Sequence, residues 1–193
     1  MTSASPPVRS SRRAALRTFV EGALVVGVGG AVAFVRTRGY SDARDRPLVS
    51  FAPWESVVLH HAARRITASD HPEDRTIPTA DELDVVGFVD AYVARMPTPM
   101  RRDLTRAILY LEQVAPLTLG LMSRFSELAA DDQDRVLVAF EASPVVLLRG
   151  AFVALKSLVF MGYYRDARTW SVLGYGGPWI GRAGHGSHGA PPP

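Results

Sequence analysis

Two hydrophobic patterns divide this 193-residue chain. Near the amino end the apolar residues are continuous: from residue 18 to residue 35 only Glu21 is charged. Such a run is long enough for one membrane-crossing helix, since about 18 to 20 residues span a bilayer core of about 30 Å. After a polar stretch at 36–52, the apolar residues return at intervals of three and four. Trp54, Val58, Ala62 and Ile66 share one helix face. Thr79 and Glu82 have the spacing of a capping box, and predict a helix from there that carries Leu83, Val86, Val89 or its neighbour Phe88, and Val93 inward and stops before Pro97. Thr98 before Pro99 predicts a capped third helix through Leu104, Ile108 and Leu111. Beyond Pro116, the series Leu117, Leu121, Phe125 and Leu128 predicts a fourth. Asp131 and Asp132 sit where acids favour the positive end of a helix dipole, at the head of a fifth with Val136, Leu137 and Phe140. Ser143 before Pro144 opens a sixth.

That sixth helix differs in kind. Between residues 144 and 161 its only charges are Arg149 and Lys156, seven apart and so on one face. A nearly uniform apolar helix belongs at the centre of a bundle or in lipid. Two cations near mid-span are costly in lipid and cheap at a bundle rim, so the pattern predicts the central core helix. No useful alternating strand pattern occurs, and the predicted fold is an all-α bundle of about six helices behind an N-terminal signal or anchor helix.

The residues flanking the first apolar run read as an address. Arg12 and Arg13, followed by Leu16 and the basic Arg17, resemble a twin-arginine export signal, although Ala15 stands where such signals usually carry Phe. An ordinary signal anchor with a basic flank is the alternative. Ala31-Val32-Ala33 has the small-x-small form of a cleavage site but lies inside the apolar run, which favours retention. Four arginines precede the run and Arg36 and Arg38 follow it closely, a bias that keeps the amino terminus in the cytoplasm and faces the body outward, at the membrane or in the periplasm. Gly27, Gly29 and Gly30 also suggest a dinucleotide-binding turn, but Val32 occupies the position that needs Gly or Ala, and helices follow where βαβ units are required. The organisation expected is therefore a signal or anchor at 1–35, a linker at 36–52, a helical domain at 53–180 and a disordered tail at 181–193.

Splitting the charge along the chain changes its meaning. Residues 1–46 carry eight arginines against three acids, whereas the remainder has 14 basic and 16 acidic residues. The high pI of 9.6 thus comes from the leader, and the body lacks the basic excess that a nucleic-acid binder needs. With no Cys, the chain cannot hold a disulfide, a Cys-ligated iron–sulfur cluster or a covalently attached c-type haem. Catalytic patterns are sparse. His60 and His61 point about 100° apart on one helix and lack zinc-helix spacing. Asp131, Asp132 and Asp134 are explained by a helix start, and His185 and His188 fall in the Gly- and Pro-rich tail. No catalytic, metal or cofactor-binding residue is predicted.

The distinctive segment follows the sixth helix. Gly162 should stop that helix, Asp166 should cap a short one running to Leu173, and Gly174 should end it. Tyr163, Tyr164, Trp170, Tyr175 and Trp179 concentrate there. They either fold back as a lid on the bundle or form an anchor patch for a partner, because Tyr and Trp supply interface hot spots.

This segment, with Met161, Tyr163, Tyr164, Asp166, Trp170, Leu173, Gly174, Tyr175, Gly177 and Pro178, resembles the closing motif of the gluconate 2-dehydrogenase subunit 3 family. Ala167 departs from the proline of that pattern. Similar runs occur near helical extensions of some long-chain alcohol oxidases. The resemblance covers about residues 54–178, and many family members also carry a twin-arginine leader. It implies a small helical subunit of a flavin-dependent sugar or alcohol dehydrogenase of the glucose-methanol-choline type. The FAD and the catalytic base then sit on a separate large subunit. This chain would support folding, export through the twin-arginine machinery and membrane attachment through residues 18–35. A stand-alone membrane-anchored helical binding or scaffold protein of the envelope is the reading from another class.

Overall fold

A computed structural model describes Tyr40, residues 47–69 and residues 76–177. The export-signal residues Arg12, Arg13 and Leu16, the apolar run at 18–35, Trp179 and the tail at 181–193 lie outside the described residues. Among the described residues the protein is all helical, with no strand: α1 (Pro53–Ile66), α2 (Val85–Val93), α3 (Thr98–Gln113), α4 (Ala115–Thr118), α5 (Ala130–Glu141) and α6 (Val146–Tyr163), with 3-10 segments at Phe125–Glu127 and Ala167–Leu173. Both α1 and α6 touch α2, α3 and α5.

The core lies among those five helices. Val58, Leu59 and Ala62 of α1 meet Val85, Val89 and Val93 of α2, Ile108 and Leu111 of α3, Val136 and Phe140 of α5, and Phe152, Leu155 and Val159 of α6, all buried. The rings of Tyr110, Phe140 and Phe152 form a chain with centroids 5.0 and 5.4 Å apart, which ties α3, α5 and α6 together. Burying each such aliphatic or aromatic side chain contributes about 1.5 to 3 kcal/mol before the entropy of ordering is counted.

Helices α1 and α5 form as the periodicity predicts, with Pro53 opening α1 and Asp131 and Asp132 in the first turn of α5. The other starts are displaced. Thr79 and Glu82 do exchange hydrogen bonds, at 3.2 and 3.0 Å, but what they bracket is a turn. Helix α2 begins at Val85, because Asp84 adopts a left-handed conformation (φ 45°) and its carboxylate accepts from the Gly87 N–H at 3.2 Å. Asp tolerates that conformation better than most residues, since its short side chain bonds locally. Thr98 is the first helical residue of α3 rather than its cap, and Pro97 precedes it. α6 starts at Val146, after Ser143 has accepted from the Val145 N–H at 3.3 Å.

The predicted fourth helix does not form. After the four-residue α4, Gly120 turns left-handed (φ 76°) and the Leu121 N–H returns to the Pro116 carbonyl at 3.0 Å, closing the helix. Phe125, four residues on, is drawn completely into the core from a 3-10 turn. The spacing of Leu117, Leu121 and Phe125 therefore does not mark a helix face.

Gly162 does not stop α6, which runs on through Tyr163. It packs tightly against α2: a Cβ there would sit 3.0 Å from Val85 Cγ1 and 3.1 Å from Phe88 Cδ1.

Residues 47–52, expected within a linker, are pinned to the domain. Asp90 of α2, buried at 3% exposure, accepts from the N–H groups of Val49, Ser50 and Phe51 at 2.6, 2.8 and 2.7 Å. Phe51 follows into the core.

Candidate docking surface

The placement of α6 overturns the expectation of a central helix. Phe152, Leu155, Leu158, Val159, Gly162 and Tyr163 are buried, and they fall on one side at 100° per residue. The opposite side is bare. Leu147 is 80% exposed, Val146 72% and Val153 58%, and Gly150, Ala154, Ser157 and Met161 complete an uncharged stripe. Val138 of α5 is also exposed at 63%. From Val146 to Met161 the stripe is about 22 Å long, at 1.5 Å per residue. Alone among the described helices α6 is long and apolar enough to cross a membrane, and its buried side packs against α2, α3 and α5.

The cations of α6 lie at the edge of this stripe and are engaged. Arg149 donates to the Ser143 carbonyl at 2.6 Å, and Lys156 pairs with Glu141 of α5 at 3.0 Å. Beside that pair, a groove of 390 Å³ has Ile66, Leu137, Val138 and Phe152 in its walls, with the Arg65–Asp134 ion pair on its rim. An apolar centre with a polar rim is the anatomy of a protein interface, which makes this surface the candidate docking site.

The stripe ends where the aromatic segment begins. Asp166 caps the 3-10 segment as expected, accepting from the Arg168 N–H at 3.0 Å. The hydrogen bonds from Arg168 hold the Asp166 carboxyl at about 2, well below the usual carboxylate range. Gly174, at φ 62°, terminates the segment. The aromatics do not all share one surface. Tyr163 is buried at 4% exposure, and its hydroxyl donates to the Pro78 carbonyl at 2.9 Å, so it belongs to the packing. Tyr164 is half-buried against Tyr163 and Phe160. The Trp170 indole donates to the Tyr164 carbonyl at 2.8 Å, and Tyr175, 43% exposed, meets the Trp170 ring edge-on at 5.3 Å. Tyr164, Trp170 and Tyr175 thus form a partly exposed aromatic corner at the carboxyl end of α6.

The polar candidates have structural partners. His60 bonds Asp81 at 3.2 Å, while His61 faces Gln133 at 3.2 Å. Asp134 pairs with Arg65 and Asp132 with Arg135 at 2.7 Å. Among the described residues no group of His, Asp and Glu has the arrangement of a metal site.

Three buried carboxylates escaped the sequence reading, among them Glu55, whose carboxylate accepts from the Ala52 N–H and the Thr105 hydroxyl. Another is Asp90. The third, Glu112, is wholly buried in α3 and accepts from the Ser126 N–H at 3.0 Å, the Ser126 hydroxyl at 2.7 Å and the Tyr40 hydroxyl, with the Arg124 guanidinium 4.6 Å over the Tyr40 ring. Burial pushes the Glu112 carboxyl up from its ordinary 4.5, outweighing the hydrogen bonds from Tyr40 and Ser126. The unfolded chain therefore releases this proton at lower pH than the folded one, and stability falls as pH rises from about 4.5 towards the raised value. Glu112→Gln keeps an acceptor for Ser126 and removes the charge. Urea unfolding across pH 4 to 8 should show a shallower loss of stability for this variant than for the wild type; parallel curves would mean that Glu112 ionises alike in both states.

Comparison with known proteins yields a family assignment. The family described as gluconate 2-dehydrogenase subunit 3 matches residues 54–177, which is α1 through the aromatic corner. Neither a curated protein nor a solved structure gives a significant match. A match over well over half of the chain, ending at the segment that carries the sequence motif, places the protein in the gluconate 2-dehydrogenase subunit 3 family.

Proposed function

We propose that this chain is the non-catalytic small subunit of a flavin-dependent sugar or alcohol dehydrogenase, supporting the folding, export and membrane attachment of a large subunit that carries the FAD and the catalytic base. The observation that carries this reading is the bare, uncharged stripe of α6, about 22 Å long by the helix rise. Family membership supplies the kind of partner, a dehydrogenase subunit. The chemistry of the stripe requires an apolar, uncharged surface on that partner. The leader adds the remaining parts: Arg12, Arg13 and Leu16 as an export address, and residues 18–35 as the attachment, which puts the body outside the cytoplasm.

The aromatic corner is the second contact of the same interface. Truncating a buried interface aromatic commonly costs about 2 kcal/mol or more, roughly thirtyfold in affinity. Trp170→Ala and Tyr175→Ala should therefore each weaken binding of the large subunit by that factor while the helical domain keeps its circular dichroism. Full affinity in both variants would make the corner a lid on the bundle and leave α6 as the docking element.

A further inference from the structure

A pocket of 340 Å³ lies at the first turns of α3, facing the pinned segment. Arg101, Arg102 and Arg106 line it together with Ser50 and Thr98, and Phe51 and Val93 form an apolar wall. No carboxylate lines it. The acids around it are already engaged: Asp103 holds Arg106 at 2.8 Å, Asp90 takes the three N–H groups of residues 49–51, and Glu55 accepts from the Ala52 N–H at 2.7 Å and the Thr105 hydroxyl at 2.6 Å. Among the described residues, Arg102 has no partner, and Arg101 reaches only the Thr98 hydroxyl, at 3.4 Å. The Arg101 Nε–H is sealed from solvent with no acceptor. Leaving such a donor unsatisfied is unfavourable, and the planar donor fork of a guanidinium is the shape that pairs with an oxyanion.

From this pocket we infer an oxyanion site that takes a phosphate group. Two uncompensated guanidiniums match a doubly charged phosphate better than a single carboxylate. The hydroxyls of Ser50 and Thr98 offer further donors, and Phe51 and Val93 fit an apolar substituent beside the anion. The site is separate from the α6 stripe and does not depend on the subunit reading. Free phosphate and the phosphate monoester of a lipid headgroup share this chemistry.

The test uses the full chain and its Arg101→Gln/Arg102→Gln variant, titrated with inorganic phosphate at constant ionic strength and followed by calorimetry. A parallel arm measures flotation with vesicles of phosphatidylcholine alone or mixed with phosphatidic acid. Saturable phosphate binding that is at least about tenfold weaker in the variant establishes the site with free phosphate as ligand. Binding confined to the phosphatidic acid vesicles, and lost in the variant, establishes it with a headgroup as ligand. Equal responses of wild type and variant, or no response in either arm, overturn it. Should the double variant lose its helical circular dichroism, Arg102→Gln alone decides, because that side chain is exposed and makes no contact that the fold needs.

Discussion

Replacing Asp90 with alanine should destabilise the domain by about 3 to 5 kcal/mol, more than any other single polar substitution in it. Three backbone donors, those of Val49, Ser50 and Phe51, converge on this one buried carboxylate. Each charge-assisted bond is worth about 1.5 to 3 kcal/mol, and removing the acceptor also leaves N–H groups that must find water or stay unpaired. Once the segment lifts, Phe51 leaves the core as well. At about 2 to 4 °C per kcal/mol for a chain of this size, the melting temperature should drop by about 10 °C. Asp90→Asn supplies the internal control. Ser50 and Phe51 both donate to the same carboxylate oxygen, Oδ1, which an amide carbonyl can replace, whereas Val49 donates to Oδ2 and would face an NH2 group. The loss for Asn should be about half that for Ala. Equal stability of all three proteins in urea unfolding would show that the 47–52 segment is not part of the folded unit.

The second large effect concerns α6 and leaves stability alone. Leu147→Glu and Val153→Glu place charges on bare positions, so each should change folding by no more than about 0.5 kcal/mol. If the stripe is covered by the large subunit, each buried and unpaired carboxylate costs at least about 2 kcal/mol, and the double variant should bind roughly a thousandfold more weakly. The same variant should also resist self-association at high concentration, since an uncovered apolar stripe is the driving surface for it. A protein that unfolds like the wild type but has lost its partner separates docking from packing.

How much of this was legible in the sequence varies by element. α1 and α5 were, because their apolar positions repeat at helical spacing and their first turns carry the right residues, Pro53 in one and Asp131 and Asp132 in the other. The cap at Asp166 and the stop at Gly174 were legible for the same reason: one residue type suits the conformation required. The start of α2 was hidden, because the Thr79–Glu82 exchange forms in a turn as readily as at a helix, and the left-handed Asp84 leaves no spacing signal. Asp90 and Glu112 were invisible because a lone acid in a helix reads as a solvent-facing position until the donors from distant segments are in place. The bare side of α6 was misassigned from its composition. Apolarity says that a helix wants cover on every side, and only the packing shows which side the rest of the chain has covered.

The central claim, that this chain docks a flavin-bearing dehydrogenase subunit through α6, is tested most directly by co-expressing the full chain with the flavin-dependent dehydrogenase of its source and following flavin absorbance in size-exclusion chromatography. The account predicts that flavin co-elutes with the wild-type chain and separates from the Leu147→Glu/Val153→Glu variant, which still folds. Co-elution that is undiminished in the variant, or a wild-type chain that elutes free of flavin, would contradict it.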